Sequence, residues 1–242
     1  MGFELEEVTP AEEYPYSFKD YLLQPAILSS RIFSAIILSP KLKYWLLTIS
    51  ISSIFLTIGS WALMSKLVIN IRLSDEFPQG AQEMIGSLIE LTIRNPLVIF
   101  INSLIGEFIE SLISALVIFI LARSFSDRGS FSSGIMVAGL GGLPSIVYGM
   151  LLTLLGFSMP EVEWNIEIGP QAGTFGFEEN IPWEIFLQES ILQLIISIWF
   201  FMVLLVCFTR GYGMTRGKAA VTSLCTCLAS NIFLILGLVM YI

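Results

Sequence analysis

Hydrophobic positions in this chain come in long unbroken runs separated by short polar stretches. The first run extends from about Tyr44 to Met64, with Trp45 and Trp61 near its ends. At helical rise these tryptophans stand roughly 24 Å apart, which suits two anchors at opposite membrane interfaces. Ser50, Ser53, Thr57 and Ser60 form a small-residue stripe along it, of the kind that lets helices approach closely in lipid. Asn95-Pro96 is a helix-start signal and opens a second span, Leu97 to Leu121. The third, Phe131 to Phe157, is interrupted by Gly139, Gly141, Gly142 and Pro144, which predicts a kink or a broken helix. Ile181-Pro182-Trp183 opens a fourth span ending near Phe208, and a fifth covers Ala219 to Ile242.

The segments between the spans are informative too. Residues 1–20 form a short acidic tail with Glu4, Glu6, Glu7, Glu12, Glu13 and Asp20, and lack the basic start of a cleaved signal peptide. Met1-Gly2 suggests N-myristoylation, but Glu6 stands where that motif wants Ser or Thr. Ala26 to Leu38, bounded by Pro25 and Pro40, is too short to span and predicts a helix on the membrane surface or a re-entrant piece. Between Ser65 and Asn95, Met84, Ile85, Leu88, Ile89 and Leu91 among charged residues predict an amphipathic interfacial helix. Ser158 to Asn180 is a polar loop with Glu161, Glu163, Glu167, Glu178 and Glu179. The fold expected is therefore all-α: a polytopic membrane protein of five transmembrane helices plus one or two interfacial amphipathic helices, with residues 21–242 as a single membrane domain.

Composition agrees. Of 242 residues, 55% are apolar and only 13% charged, about half the charged share of a soluble domain, and mean hydropathy is +0.81. The net charge of −8 argues against nucleic-acid binding. The basic residues of the short loops set the orientation. Lys19, Arg31, Lys41, Lys43, Arg123, Arg128, Arg210, Arg216 and Lys218 fall on one side, and only Lys66, Arg72 and Arg94 on the other. That places the N-terminus in the cytoplasm, with the acidic loop and the C-terminus outside.

Candidate chemistry is sparse. With no histidine, Ser-His triads and His-ligated zinc are excluded. Cys207, Cys225 and Cys227 all lie in apolar runs and read as packing residues, so neither a metal site nor a cofactor is expected. Arg210-Gly-Tyr-Gly-Met-Thr-Arg-Gly-Lys218 has the wrong glycine spacing for a phosphate loop and reads as a flexible basic cytoplasmic turn. The sharpest feature is polar residues within the spans: Asn102, Glu107 and Glu110 in the second, Glu189 and Gln193 in the fourth, and Asn231 in the fifth. Glu107 and Gln193 each lie eleven residues beyond a helix-opening proline, hence at similar depth. No Lys or Arg within the spans can pair with these acids, so they must be protonated, hydrated or holding a cation. Hydrogen bonding between helices is the simpler reading, a proton or cation site the sharper one.

The order of landmarks resembles the Yip-domain family, Ypt/Rab-interacting integral membrane proteins with five spans. The landmarks are Pro25-Ala-Ile-Leu-Ser-Ser-Arg-Ile-Phe leading to Ser39-Pro40, Gly129-Ser-Phe131 opening the third span with Gly139 and Pro144 beyond, and Gly211-Tyr-Gly-Met-Thr-Arg-Gly-Lys-Ala219 leading into the fifth. Leu140 follows Gly139 where eukaryotic members often carry tyrosine. The longer soluble N-terminal region of eukaryotic members has no counterpart, so a GTPase partner is not carried over. The compact form resembles prokaryotic members, which implies a prokaryotic plasma membrane. The resemblance implies no enzyme activity. It points to a non-enzymatic scaffold or adaptor whose partners are the lipid bilayer and other membrane proteins. A small transporter or permease component for a proton, cation or lipid is the alternative, resting on the intramembrane acids.

Overall fold

A computed structural model describes residues 15–28, 30–73, 79–126, 129–168 and 183–231. Its elements are α1 (Phe18–Leu23), α2 (Ser30–Leu38), α3 (Leu42–Met64), β1 (Leu67–Leu73), α4 (Gln79–Arg94), α5 (Pro96–Phe125), α6 (Phe131–Ala138), α7 (Gly142–Ser158), β2 (Val162–Ile168), α8 (Trp183–Val206) and α9 (Arg216–Ser230). Among the described residues four stretches are long and apolar enough to cross a membrane: Leu42–Met64, Pro96–Phe125, Phe131–Ser158 and Leu187–Gly211. This is an integral membrane protein. The expected fifth span is described only as the 15-residue α9 and Asn231, and residues 232–242 lie outside the described residues.

The chain forms two units. One comprises Met1–Trp45, Leu112–Leu140 and Phe201–Ile242, the other Leu46–Ser111 and Gly141–Phe200.

In the first unit, local capping starts the short helices. Ser17 and Asp20 form a reciprocal capping box on α1, as Ser130 and Ser133 do on α6. The hydroxyl and backbone N–H of Ser17 also hold the exposed Asp20 carboxyl below its usual range. The α2 segment corrects the expectation of a surface-lying helix. Ile32, Phe33, Ala35, Ile36 and Ile37 are all buried, and among its described side chains only Arg31 and Leu38 are exposed. Apolar residues on most of its circumference make α2 a core helix, and it packs on the π-turn Cys207–Gly211 and on α6. At Gly211 an added Cβ would meet the end of the Ile37 side chain, so glycine lets the turn lie close against α2.

The turn after α8 is likewise not the flexible basic loop that was expected. Gly211, Tyr212 and Met214 are buried, the Tyr212 hydroxyl reaches Ser133 Oγ at 3.3 Å, and Ser126 donates to the Tyr212 carbonyl at 2.8 Å. Burial raises the Tyr212 phenol. The apolar residues interleaved with the basic ones hold this corner, while Arg210, Arg216 and Lys218 face outward. Trp45 is also no interfacial anchor, for it is buried against Gly139, whereas Trp61 is exposed.

The second unit is organised by α3 and α7. Gly142, Gly149 and Gly156 recur every seven residues on α7, the period that keeps one face toward a neighbour along a left-handed crossing. Each lies against α3: Gly142 at Thr48, Gly149 at the Phe55 backbone, and Gly156 at the Ala62 backbone. On α3, Thr48, Ser52, Ser53 and Thr57 are buried while Leu46, Leu47, Ile54 and Ile58 face outward. Ser50 is exposed too, so the close-packing stripe includes Ser53 and Thr57 but not Ser50.

Beyond the helices, β1 and β2 pair in parallel from Leu67↔Val162 to Leu73↔Ile168. The described chain is mostly helical as expected, but this two-stranded sheet was not expected, and its physical reason is visible in the residues. Both segments alternate, with Leu67, Ile69, Ile71 and Leu73 opposite Val162, Trp164, Ile166 and Ile168, a period of two that a helix cannot use. The helix contacts and the strand pairing keep nearly one sequence offset, so the sheet prolongs the α3–α7 pair in register. Helix α4 follows β1 and exposes Met84, Leu88 and Leu91 along one stripe. Asn95 then caps α5, its Oδ1 accepting from the Leu97 N–H at 2.9 Å.

A candidate intramembrane polar site

Two acids of the spans, Glu107 and Glu189, meet hydroxyls supplied by neighbouring helices. Glu107 lies on α5, and its Oε2 accepts from Ser52 Oγ of α3 at 3.2 Å. Ser145 of α7 is a second hydrogen-bond neighbour of the same carboxyl. Ser145 and Tyr148 stand three residues apart on α7 and so share a face. The Tyr148 hydroxyl donates to Glu189 Oε1 of α8 at 3.1 Å. One turn of α7 thereby serves acids on two different helices. That turn begins just after the break, where α6 ends at Ala138, the 3-10 turn Gly139–Gly141 intervenes, and Pro144 sits in the first turn of α7.

The remaining sequence-predicted residues sit apart from these bonds. Glu110 is half-buried one turn from Glu107, and Gln193 is half-buried one turn from Glu189. Asn102 is exposed on α5. Asn231 belongs to the other unit, where its Nδ2 closes α9 on the Cys227 carbonyl at 2.7 Å. Ser52, Ser145 and Tyr148 were not singled out from sequence. The usable signal was their position, since a polar side chain in a span on a buried face needs a partner.

Hydrogen bonds of 3.1–3.2 Å exceed the roughly 2.5–2.7 Å of a charge-assisted O–H···O contact. They suit hydrogen bonds that tie helices together. Among the described residues no three His, Cys, Asp or Glu side chains gather as a metal site requires.

Long apolar helices, one broken at glycine and proline, with hydroxyl-bound acids between them, define a polytopic helical membrane protein. Its sequence matches the Yip1 domain over residues 19–238, and the chain belongs to that family. No curated protein and no solved structure matches it. The family is not known for enzymatic activity.

Proposed function

We propose that the protein is a non-enzymatic membrane scaffold that binds other membrane proteins and organises the adjoining bilayer. The observation that carries this reading is the outer half of α5. Leu97, Ile101 and Ile105 are exposed there, and so is Asn102, while a Cβ at Gly106 would meet nothing within 4 Å. An exposed amide four residues from an open glycine offers another membrane helix both a hydrogen bond and close backbone approach. Glu107 and Glu189 fit the same reading, since each ties its helix to a hydroxyl on a neighbour. The exposed Met84, Leu88 and Leu91 stripe of α4 would rest on the outer leaflet beside the start of α5.

Mild-detergent capture followed by mass spectrometry tests this. The wild-type chain should retain a reproducible membrane-protein partner. Asn102→Leu combined with Gly106→Leu should reduce that capture at least about tenfold, the worth of 1.4 kcal/mol, without lowering the yield of folded protein. Substrate-specific proton or cation flux by the purified protein in liposomes, lost in Glu107→Gln, would instead establish the transporter alternative.

The proposed setting is a prokaryotic plasma membrane with the N-terminus inside, on the charge asymmetry of the loops. A cysteine at Thr174 should label from outside in intact cells. One at Thr215, which is exposed and makes no side-chain cap bond, should label only after permeabilisation. The opposite pattern would invert the orientation.

A further inference from the structure

Among the described residues of the unit comprising Met1–Trp45, Leu112–Leu140 and Phe201–Ile242, charge is almost all positive. Arg31, Lys43, Arg123, Arg210, Arg216 and Lys218 are exposed there, at or near the ends of α2, α3, α5, α8 and α9. Lys19 adds to them, and Lys41 donates to the Tyr16 carbonyl while lying 4.4 Å from the Tyr16 ring centroid. None of the eight forms an ion pair among the described residues. The one described acid of this unit, Asp20, is already bonded to the Ser17 hydroxyl and backbone N–H and to Gln24. Exposed cations at several helix ends, without ion pairs among the described residues, form a surface for an anionic partner.

The same unit supplies a matching segment. Glu4, Glu6, Glu7, Glu12 and Glu13 fall within the first fourteen residues, which carry no Lys or Arg. The far end of that segment is fixed on the basic surface. The Tyr16 hydroxyl donates to the Ser39 carbonyl at 2.7 Å, and Lys41 holds the Tyr16 carbonyl at 2.7 Å. Fourteen residues reach up to about 45 Å when extended, so the glutamates sample a wide area around the attachment at Tyr16. Tethering also holds the segment at an effective concentration in the millimolar range. We infer that the basic surface of this unit is a docking site for an acidic peptide, and that its occupant is the chain's own residues 1–14. Bound there, the segment competes with anionic lipid headgroups for the same lysines and arginines. The inference is independent of the scaffold reading.

Zero-length carbodiimide cross-linking reads such carboxylate–lysine contacts directly. The full chain would be placed in phosphatidylcholine nanodiscs at low salt, with isotope-mixed protein to separate links within a chain from links between chains. Peptides joining residues 4–13 to Lys43 or Lys218 within one chain are expected. Their yield should fall severalfold at about 0.5 M salt, where the Debye length is only a few ångströms. Lys218→Ala should remove its own links and leave those to Lys43. In discs containing phosphatidylglycerol the links should persist at more than roughly half their yield, because the tethered segment is always at hand. Overturning results are tail glutamates unlinked to these lysines while other carboxylate–lysine links form, links found only between chains, or links abolished by phosphatidylglycerol. The last would make lipid the occupant.

Discussion

Gly149→Ala is expected to destabilise the protein by about 3 kcal/mol, lowering the thermal midpoint in mild detergent by roughly 6–12 °C. In an isolated helix the same change gains about 1 kcal/mol, because alanine is the better helix former. The sign is reversed here by what the new methyl group meets. It would stand 2.5 Å from the Phe55 carbonyl carbon, 2.6 Å from its oxygen and 2.7 Å from the Leu56 nitrogen. These are backbone atoms of α3 and cannot rotate away, so α3 and α7 must separate along a contact that also includes Gly142 and Gly156. Gly106→Ala is the matched control. With nothing within 4 Å of the added carbon, it should leave the midpoint unchanged or raise it slightly. Equal midpoints for the two variants would show that α3 and α7 do not pack through their glycines.

Tyr21→Ala is the second change of large effect, expected to cost about 3–5 kcal/mol. The ring is 1% exposed, and its hydroxyl donates to the Met136 carbonyl at 2.7 Å across 115 residues of chain. That carbonyl lies in the last turn of α6, just before the 3-10 turn, where regular helical hydrogen bonding is interrupted. Gly139 makes room, since a Cβ there would collide with the Tyr21 hydroxyl and with Trp45. Burial raises the Tyr21 phenol well above its usual range, so it remains a donor throughout the physiological range. Tyr21→Phe keeps the ring and abandons only the carbonyl, at an expected cost of about 1–3 kcal/mol. Thermal unfolding should therefore rank wild type above Tyr21→Phe and Tyr21→Phe above Tyr21→Ala. A Tyr21→Phe variant as stable as wild type would show that the hydroxyl contributes nothing.

The long helices could be read from the chain because each depends on local information, an apolar run and a start signal such as Asn95-Pro96. The strands carried equally local information, the alternation of Leu67–Leu73 and Val162–Ile168. It was overlooked because each strand is only seven residues long and sits in a segment otherwise typical of a loop. The heptad spacing of Gly142, Gly149 and Gly156 was also present, though its partner on α3 was not. Glu107, Glu110 and Glu189 stood out as acids in apolar runs. Their environment did not, because Ser52 is 55 residues from Glu107 and Tyr148 is 41 from Glu189. Such pairings are fixed by how helices pack, and one sequence does not display that. The inward turn of α2 was hidden for the same reason, since an apolar helix can bury itself in lipid or in protein.

The in-register continuation of α3–α7 into β1–β2 limits how these two spans can move. Axial sliding changes a helix contact in steps of 1.5 Å per residue, and a strand ladder in steps of about 3.3 Å. A slip of one residue would also break the ladder pairing of Leu67 with Val162 through Leu73 with Ile168. The glycine notches match again only after seven residues, about 10 Å along a helix. No short slip satisfies the notches and the ladder together, so piston motion of α3 against α7 is blocked. Any rearrangement of these two spans must carry the pair as a single strut, by tilt or rotation.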